Sequence, residues 1–126
     1  MARAVVDDDE AELGEALRDL AAALPMSSLG KLNLNDNAIG DDGARAISAA
    51  LPRTQIAWIF LNRNSINDAG AWALAEALPM TTKLTQLSLY DNNIGELGAR
   101  AISDALPRSR LTDLQLGRNA VGDGGA

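Results

Sequence analysis

Four stretches of this chain repeat one pattern, and that repetition limits the fold more than any other feature. They are "LGKLNLNDNAIG" from Leu29, "IAWIFLNRNSIN" from Ile56, "LTQLSLYDNNIG" from Leu84 and "LTDLQLGRNAVG" from Leu111. Their starts lie 27, 28 and 27 residues apart. Each reads L-x-x-L-x-L-x-x-N-x-I, with Ile substituting for Leu and Val closing the last. Between them run "DDGARAISAALP", "DAGAWALAEALP" and "ELGARAISDALP". A fixed period of this length marks a stacked repeat, in which one unit buries its apolar side only against its neighbours.

The spacing assigns each residue a place. Apolar residues two apart point to the same side of a strand. Leu32 and Leu34, Ile59 and Leu61, Leu87 and Leu89, and Leu114 and Leu116 are therefore predicted to face the core. Leu29, Ile56, Leu84 and Leu111 enter that core from the preceding turn. Asn37, Asn64, Asn92 and Asn119 form a column whose amides can satisfy buried turn backbone. In the helices, Ile47, Leu74 and Ile102, with Leu51, Leu78 and Leu106 four residues on, make the buried stripe. Gly40, Asn67 and Gly95 are the expected N-caps. They are followed by the acids Asp41, Asp68 and Glu96 at the positive end of each helix dipole. Gly43, Gly70 and Gly98 are expected to bring the helix close to the sheet, and Pro52, Pro79 and Pro107 to end each helix.

These four registered segments resemble the leucine-rich-repeat family, and most closely its ribonuclease-inhibitor-like class, in which every repeat carries a helix. The resemblance runs from about Leu13 to Ala126. It implies an α/β solenoid, a right-handed β-α superhelix with parallel strands on the concave face and helices on the convex face. The chain is expected to form a single domain. Residues 1–28 would be an N-terminal capping helix, spanning about Asp9 to Leu24 with a solvated acidic start "DDDE" at residues 7–10. Repeats begin at 29, 56, 84 and 111. The last stops at "VGDGGA" without a return helix, so a piece of a longer array is expected. Self-association through that uncapped C-terminal layer is a further expectation.

Composition narrows the function. The 126 residues contain no Cys and no His, which removes disulfides, thiolate chemistry and the usual neutral-pH general base. No nucleophile–base arrangement or cation cage is apparent, so no catalytic residue, metal or cofactor is expected. A net charge of −6 argues against a nucleic-acid partner. No apolar run approaches the ~20 residues that span a bilayer. A cytoplasmic setting is the default.

What remains are the positions each strand shows to the concave face. In strand order the columns are Lys31, Trp58, Gln86 and Asp113; then Asn33, Phe60, Ser88 and Gln115; then Asn35, Asn62, Tyr90 and Gly117; then Asp36, Arg63, Asp91 and Arg118. The fourth column alternates acid and base and is expected to form a ladder of exposed ion pairs. Only four aromatics occur in the chain. Trp58, Phe60 and Tyr90 fall in concave columns, while Trp72 takes a helix position held elsewhere by Arg45 and Arg100. Trp58, Phe60, Tyr90, Arg63, Lys31, Asn62 and Gln86 are therefore the candidate contacts for another protein. The resemblance also implies an alternative, a GTPase-activating protein of the Ran type, with Arg63 or Arg118 near a strand-to-helix turn. A second alternative is a purely architectural or assembly segment.

Overall fold

The computed structural model describes residues 10–120, with side chains from Glu15 onward. The expected acidic helix start, Val121 and the closing "VGDGGA" lie outside that description. The elements alternate: α1 (Glu10–Ala23), β1 (Lys31–Asn33), α2 (Gly40–Ala50), β2 (Trp58–Phe60), α3 (Asp68–Ala77), β3 (Gln86–Ser88), α4 (Glu96–Ala105) and β4 (Asp113–Gln115). The four strands form one parallel sheet in chain order. Each helix packs on the next, α1 on α2, α2 on α3 and α3 on α4.

Sheet register follows the repeat. Lys31 pairs with Trp58, Trp58 with Gln86, and Gln86 with Asp113. The column beside it runs Leu32, Ile59, Leu87 and Leu114, and the next Asn33, Phe60, Ser88 and Gln115. The strands are only three residues long, so backbone pairing alone could not hold them. The apolar layer between sheet and helices does so. Leu32, Leu34, Ile47, Ile59, Leu61, Ile66, Ile94 and Ile102 are completely shielded from solvent, and Leu74 and Leu78 nearly so. Leu111, Leu114 and Leu116 of the last repeat pack against this core but stay partly exposed.

The asparagine column is the polar thread through this layer. Asn64 Oδ1 accepts hydrogen bonds from the backbone N–H of Asn37 (2.8 Å) and Ile39 (3.3 Å) in the preceding repeat. Its Nδ2 donates to the carbonyls of Leu34 and Asn62. Asn92 repeats the arrangement toward Asn64 N, Ile66 N and the carbonyls of Leu61 and Leu89. Each of these two amides thus closes its own turn and the turn before it.

Four features differ from the sequence expectation. First, the helices stop at Ala50, Ala77 and Ala105, before the prolines. Pro52, Pro79 and Pro107 sit inside short 3₁₀ turns, at a place where a missing N–H costs nothing. A hydroxyl two residues after each proline then bonds back to the Leu carbonyl, from Ser27, Thr54, Thr81 and Ser109 at 2.8–3.0 Å. Second, the N-cap of α2 is Ile39 rather than Gly40, which has φ +66°. Asn67 and Gly95 cap α3 and α4 but contribute no side-chain cap bond.

Third, those N-termini are capped across repeats. Asp41 Oδ1 accepts from the N–H of Asn67 (2.8 Å) and of Gly70 (2.9 Å) in the next helix. Asp68 Oδ1 does the same for Gly95 and Gly98. Fourth, the glycines serve contact between helices rather than helix and sheet. A Cβ on Gly70 would lie 2.6 Å from Asp41 Oδ1, 2.7 Å from Ile66 Cγ2 and 3.1 Å from the Ala44 Cβ. Gly98 meets Asp68, Ile94 and Ala71 in the same way.

Candidate binding surface

The concave face is built from side chains that alternate with the buried leucines. β2 projects Trp58 and Phe60 on either side of Ile59, so the pleat sends Ile59 inward and leaves both rings half-buried. Register places Lys31 and Gln86 on the two sides of Trp58. The Lys31 ammonium lies 3.9 Å from the centre of the Trp58 ring, over its π face. Gln86 is half-buried on the other side. Tyr90 is more open, but its ring leans toward the last repeat. A Cβ on Gly117 would meet Tyr90 Cδ1 at 3.1 Å and Cε1 at 3.2 Å. No stacking joins the three rings among the described residues. The surface is therefore two aromatic spots, Trp58 with Phe60 and Tyr90 over Gly117.

Asn62 is held between strands. Its Oδ1 accepts from Ser88 Oγ and from the Tyr90 N–H, both at 2.7 Å. Asn35 Oδ1 in turn accepts from the Asn62 N–H at 2.8 Å. This column stiffens the concave surface, and it explains why Ser88, expected to be exposed, is buried.

The fourth column closes one ion pair rather than a ladder. Arg63 meets Asp36 with two hydrogen bonds, Nε to Oδ1 at 2.7 Å and Nη2 to Oδ2 at 3.0 Å. Among the described residues, Asp91 and Arg118 form no ion pair. All four residues of the column have positive φ, between +54° and +61°. Left-handed backbone lets the chain turn out of each strand while its N–H still bonds the next repeat's carbonyl. The resulting aim of each side chain allows the Asp36–Arg63 pair to form. Hydrogen bonding to Asp36, then its charge and that of Asp91, raises the Arg63 pKa beyond its already high ordinary value. The pair is open to water, so Arg63→Ala is expected to leave thermal unfolding almost unchanged, and added salt should erase any remaining difference. A clear drop in melting temperature at high salt would show that Arg63 supports the turn itself.

Residues 26–48, 82–103 and 110–126 match a family model described as Leucine Rich repeat. The chain is a leucine-rich-repeat solenoid. The strand bearing Trp58 and Phe60 lies between the matched stretches. Solved structures of similar shape include "Leiomodin-1 Actin-Binding Site 2 (ABS2)", with a TM-score of 0.72 and 22% identity, covering 95% of this solenoid and 69% of that chain. The tropomodulin C-terminal domain of Caenorhabditis elegans superposes with a TM-score of 0.70 and 18% identity, covering 82% of this solenoid and 65% of that chain. At these identities the likeness establishes the fold. No curated protein sequence matches the solenoid.

Among the described residues of this solenoid, no three acidic side chains gather as a metal site, and no helix is long and apolar enough to cross a membrane. Sequence reasoning singled out Trp72 on the helical side, where it is 56% exposed. It passed over Met80 and Leu97, which are exposed on the same side. Part of their signal was available in the repeat: the position of Met80 holds Arg53 and Arg108 elsewhere, although Met26 in the first turn, and that of Leu97 holds Asp42 and Ala69.

Proposed function

We propose that this leucine-rich-repeat solenoid is a non-catalytic protein-binding module of the ribonuclease-inhibitor-like class, working in a cytoplasmic setting and gripping its partner on the concave face. One observation carries the proposal. Trp58 and Phe60 stand at neighbouring concave positions of one central strand and keep half-exposed rings, whereas the matching positions on the other three strands are polar. Aromatic side chains offer large contact area at low entropic cost, and here the strand ladder fixes their backbone while Lys31 packs over the Trp58 ring. Lys31 and Gln86 form the polar rim of that spot, and Tyr90 with Asn62 extends it toward the last repeat. The class assignment rests on the helix that follows each of β1, β2 and β3 and on the 27–28 residue period.

Actin is the first partner to assay, because the leiomodin-1 structure is titled an actin-binding site. The broader test compares wild type with Trp58→Ala/Phe60→Ala for every protein the chain retains. The double variant is expected to lose at least ~10-fold in affinity, about 1.4 kcal/mol or more, while its circular dichroism stays that of the wild type. Equal retention by a folded double variant would remove the concave face from the proposal. The GTPase-activating alternative has less support: Arg63 is engaged by Asp36, and beyond its place near a strand-to-helix turn nothing singles out Arg118.

A further inference from the structure

The helical side carries a second surface that the concave reading does not use. A groove of about 520 Å³ runs between α3 and α4. Its walls include Trp72, Met80 and Leu97, which are 56%, 65% and 67% exposed. Ala75, Ala101 and Ala105 also line it. The neighbouring groove between α2 and α3 is smaller, about 280 Å³, and none of its lining residues is a large exposed hydrophobic. The repeat supplies an internal control. The positions of Trp72, Met80 and Leu97 are occupied in α2 and its 3₁₀ turn by Arg45, Arg53 and Asp42. A solvated helix face calls for those charges. Only along this groove are three such positions apolar at once.

Charge points to the occupant. Arg100 on the groove wall is already neutralised by Glu96 at 3.1 Å. Glu76 on α3 and Asp104 on α4 flank the groove and have no ion-pair partner among the described residues. Arg108 at the far end is the one wall cation without such a partner among the described residues. The ten-residue α4 makes the groove about 15 Å long, enough for two to three turns of a ligand helix. Three apolar anchors at i, i+4 and i+7 span about 10 Å of that length. Between parallel helices, such a trough suits a third helix laid along it.

We propose that the α3–α4 groove docks a basic amphipathic helix of a partner protein, its apolar stripe on Trp72, Leu97 and Met80 and its Lys or Arg residues beside Glu76 and Asp104. The proposal is independent of the concave site.

The test selects ligands from a display library of helical peptides against the whole chain. Affinities are then measured by fluorescence anisotropy for wild type and three variants. Trp72→Arg, Leu97→Asp and Met80→Arg install residues the chain already carries at the same repeat positions, so they preserve folding. Trp58→Ala serves as a control on the opposite face. The expected peptides are basic, with apolar residues at i, i+3 or i+4, and i+7. Each groove variant should weaken them at least ~10-fold, and Trp58→Ala should leave them unchanged. Glu76→Gln with Asp104→Asn should flatten the salt dependence. Selected peptides without that pattern, or peptides that bind the groove variants as well as wild type, would overturn the proposal. So would a wild-type dimer in light scattering that Trp72→Arg converts to monomer, because the occupant would then be a second copy of this chain.

Discussion

Asn64→Leu is expected to remove about 3–5 kcal/mol of stability, enough to unfold much of a domain whose whole stability is of order 5–15 kcal/mol. Leucine keeps the branching and heavy-atom count of asparagine, so the substitution leaves no cavity, and its bulkier methyls add crowding to the lost hydrogen bonds. Asn64 has no solvent exposure and satisfies four backbone groups, the N–H groups of Asn37 and Ile39 and the carbonyls of Leu34 and Asn62. Leucine would leave both N–H groups without that acceptor in an apolar layer. Leu34 O would still receive the Asn37 amide. The companion Asn37→Leu is expected to cost less, about 1–2 kcal/mol. Asn37 is equally buried, but its Oδ1 has no hydrogen-bond partner among the described residues, and only its Nδ2 works, toward Leu34 O and Asn35 O. Urea denaturation of the two variants checks the ranking. Equal losses, or a larger loss at Asn37, would mean that bonds between turns do not set the cost.

That ranking was not readable from the sequence, although the column was. The period-two leucines and the 27–28 residue spacing were enough to give strand register, the buried face and the concave columns, because they follow from pleat geometry and a fixed repeat. Which residues each side chain would reach in the next repeat was not encoded in local pattern. Asp41 looked like a residue complementing its own helix dipole, and it bonds the helix after. Gly70 looked like a spacer toward the sheet, and it makes room for that same carboxylate. The P-x-S/T hydroxyls were present in every repeat as a visible column, and their bond to the Leu carbonyl could have been inferred from the spacing alone.

The candidate surface divides in the same way. The strand alternation identified Trp58 and Phe60 as concave residues. The lean of Tyr90 over Gly117, which separates it from them, depends on a neighbour with no side chain in the next repeat. The Asp36–Arg63 pair was expected from opposite charges in adjacent repeats. The same rule did not produce an Asp91–Arg118 pair, because exposed ion pairs gain too little to fix long side chains wherever they are possible.

The coupling of Asp41 to Gly70 gives the second large effect. Gly70→Ala removes a helical glycine, which by propensity alone would stabilise α3 by up to about 1 kcal/mol. The opposite sign is expected here. The new methyl would sit 2.6 Å from Asp41 Oδ1 and 2.7 Å from Ile66 Cγ2, so the carboxylate must leave the N–H groups it caps and Ile66 must shift. A net loss of about 1–3 kcal/mol follows from overpacking and the lost cap together. Asp41→Ala removes the acceptor for Asn67 N and Gly70 N and is expected to cost about 1–2 kcal/mol. In the double variant the space held by the carboxylate is free, and the cap bonds can be lost only once. Its cost should therefore fall at least ~0.5 kcal/mol short of the sum, with the Ile66 contact keeping it above the cost of Asp41→Ala alone. Asp68 and Gly98 repeat the geometry one turn of the solenoid later, with Asp68 Oδ1 2.7 Å from the Gly98 methyl position. The same cycle there should give the same sign. Strict additivity at both pairs would mean that the carboxylates do not control how neighbouring helices dock.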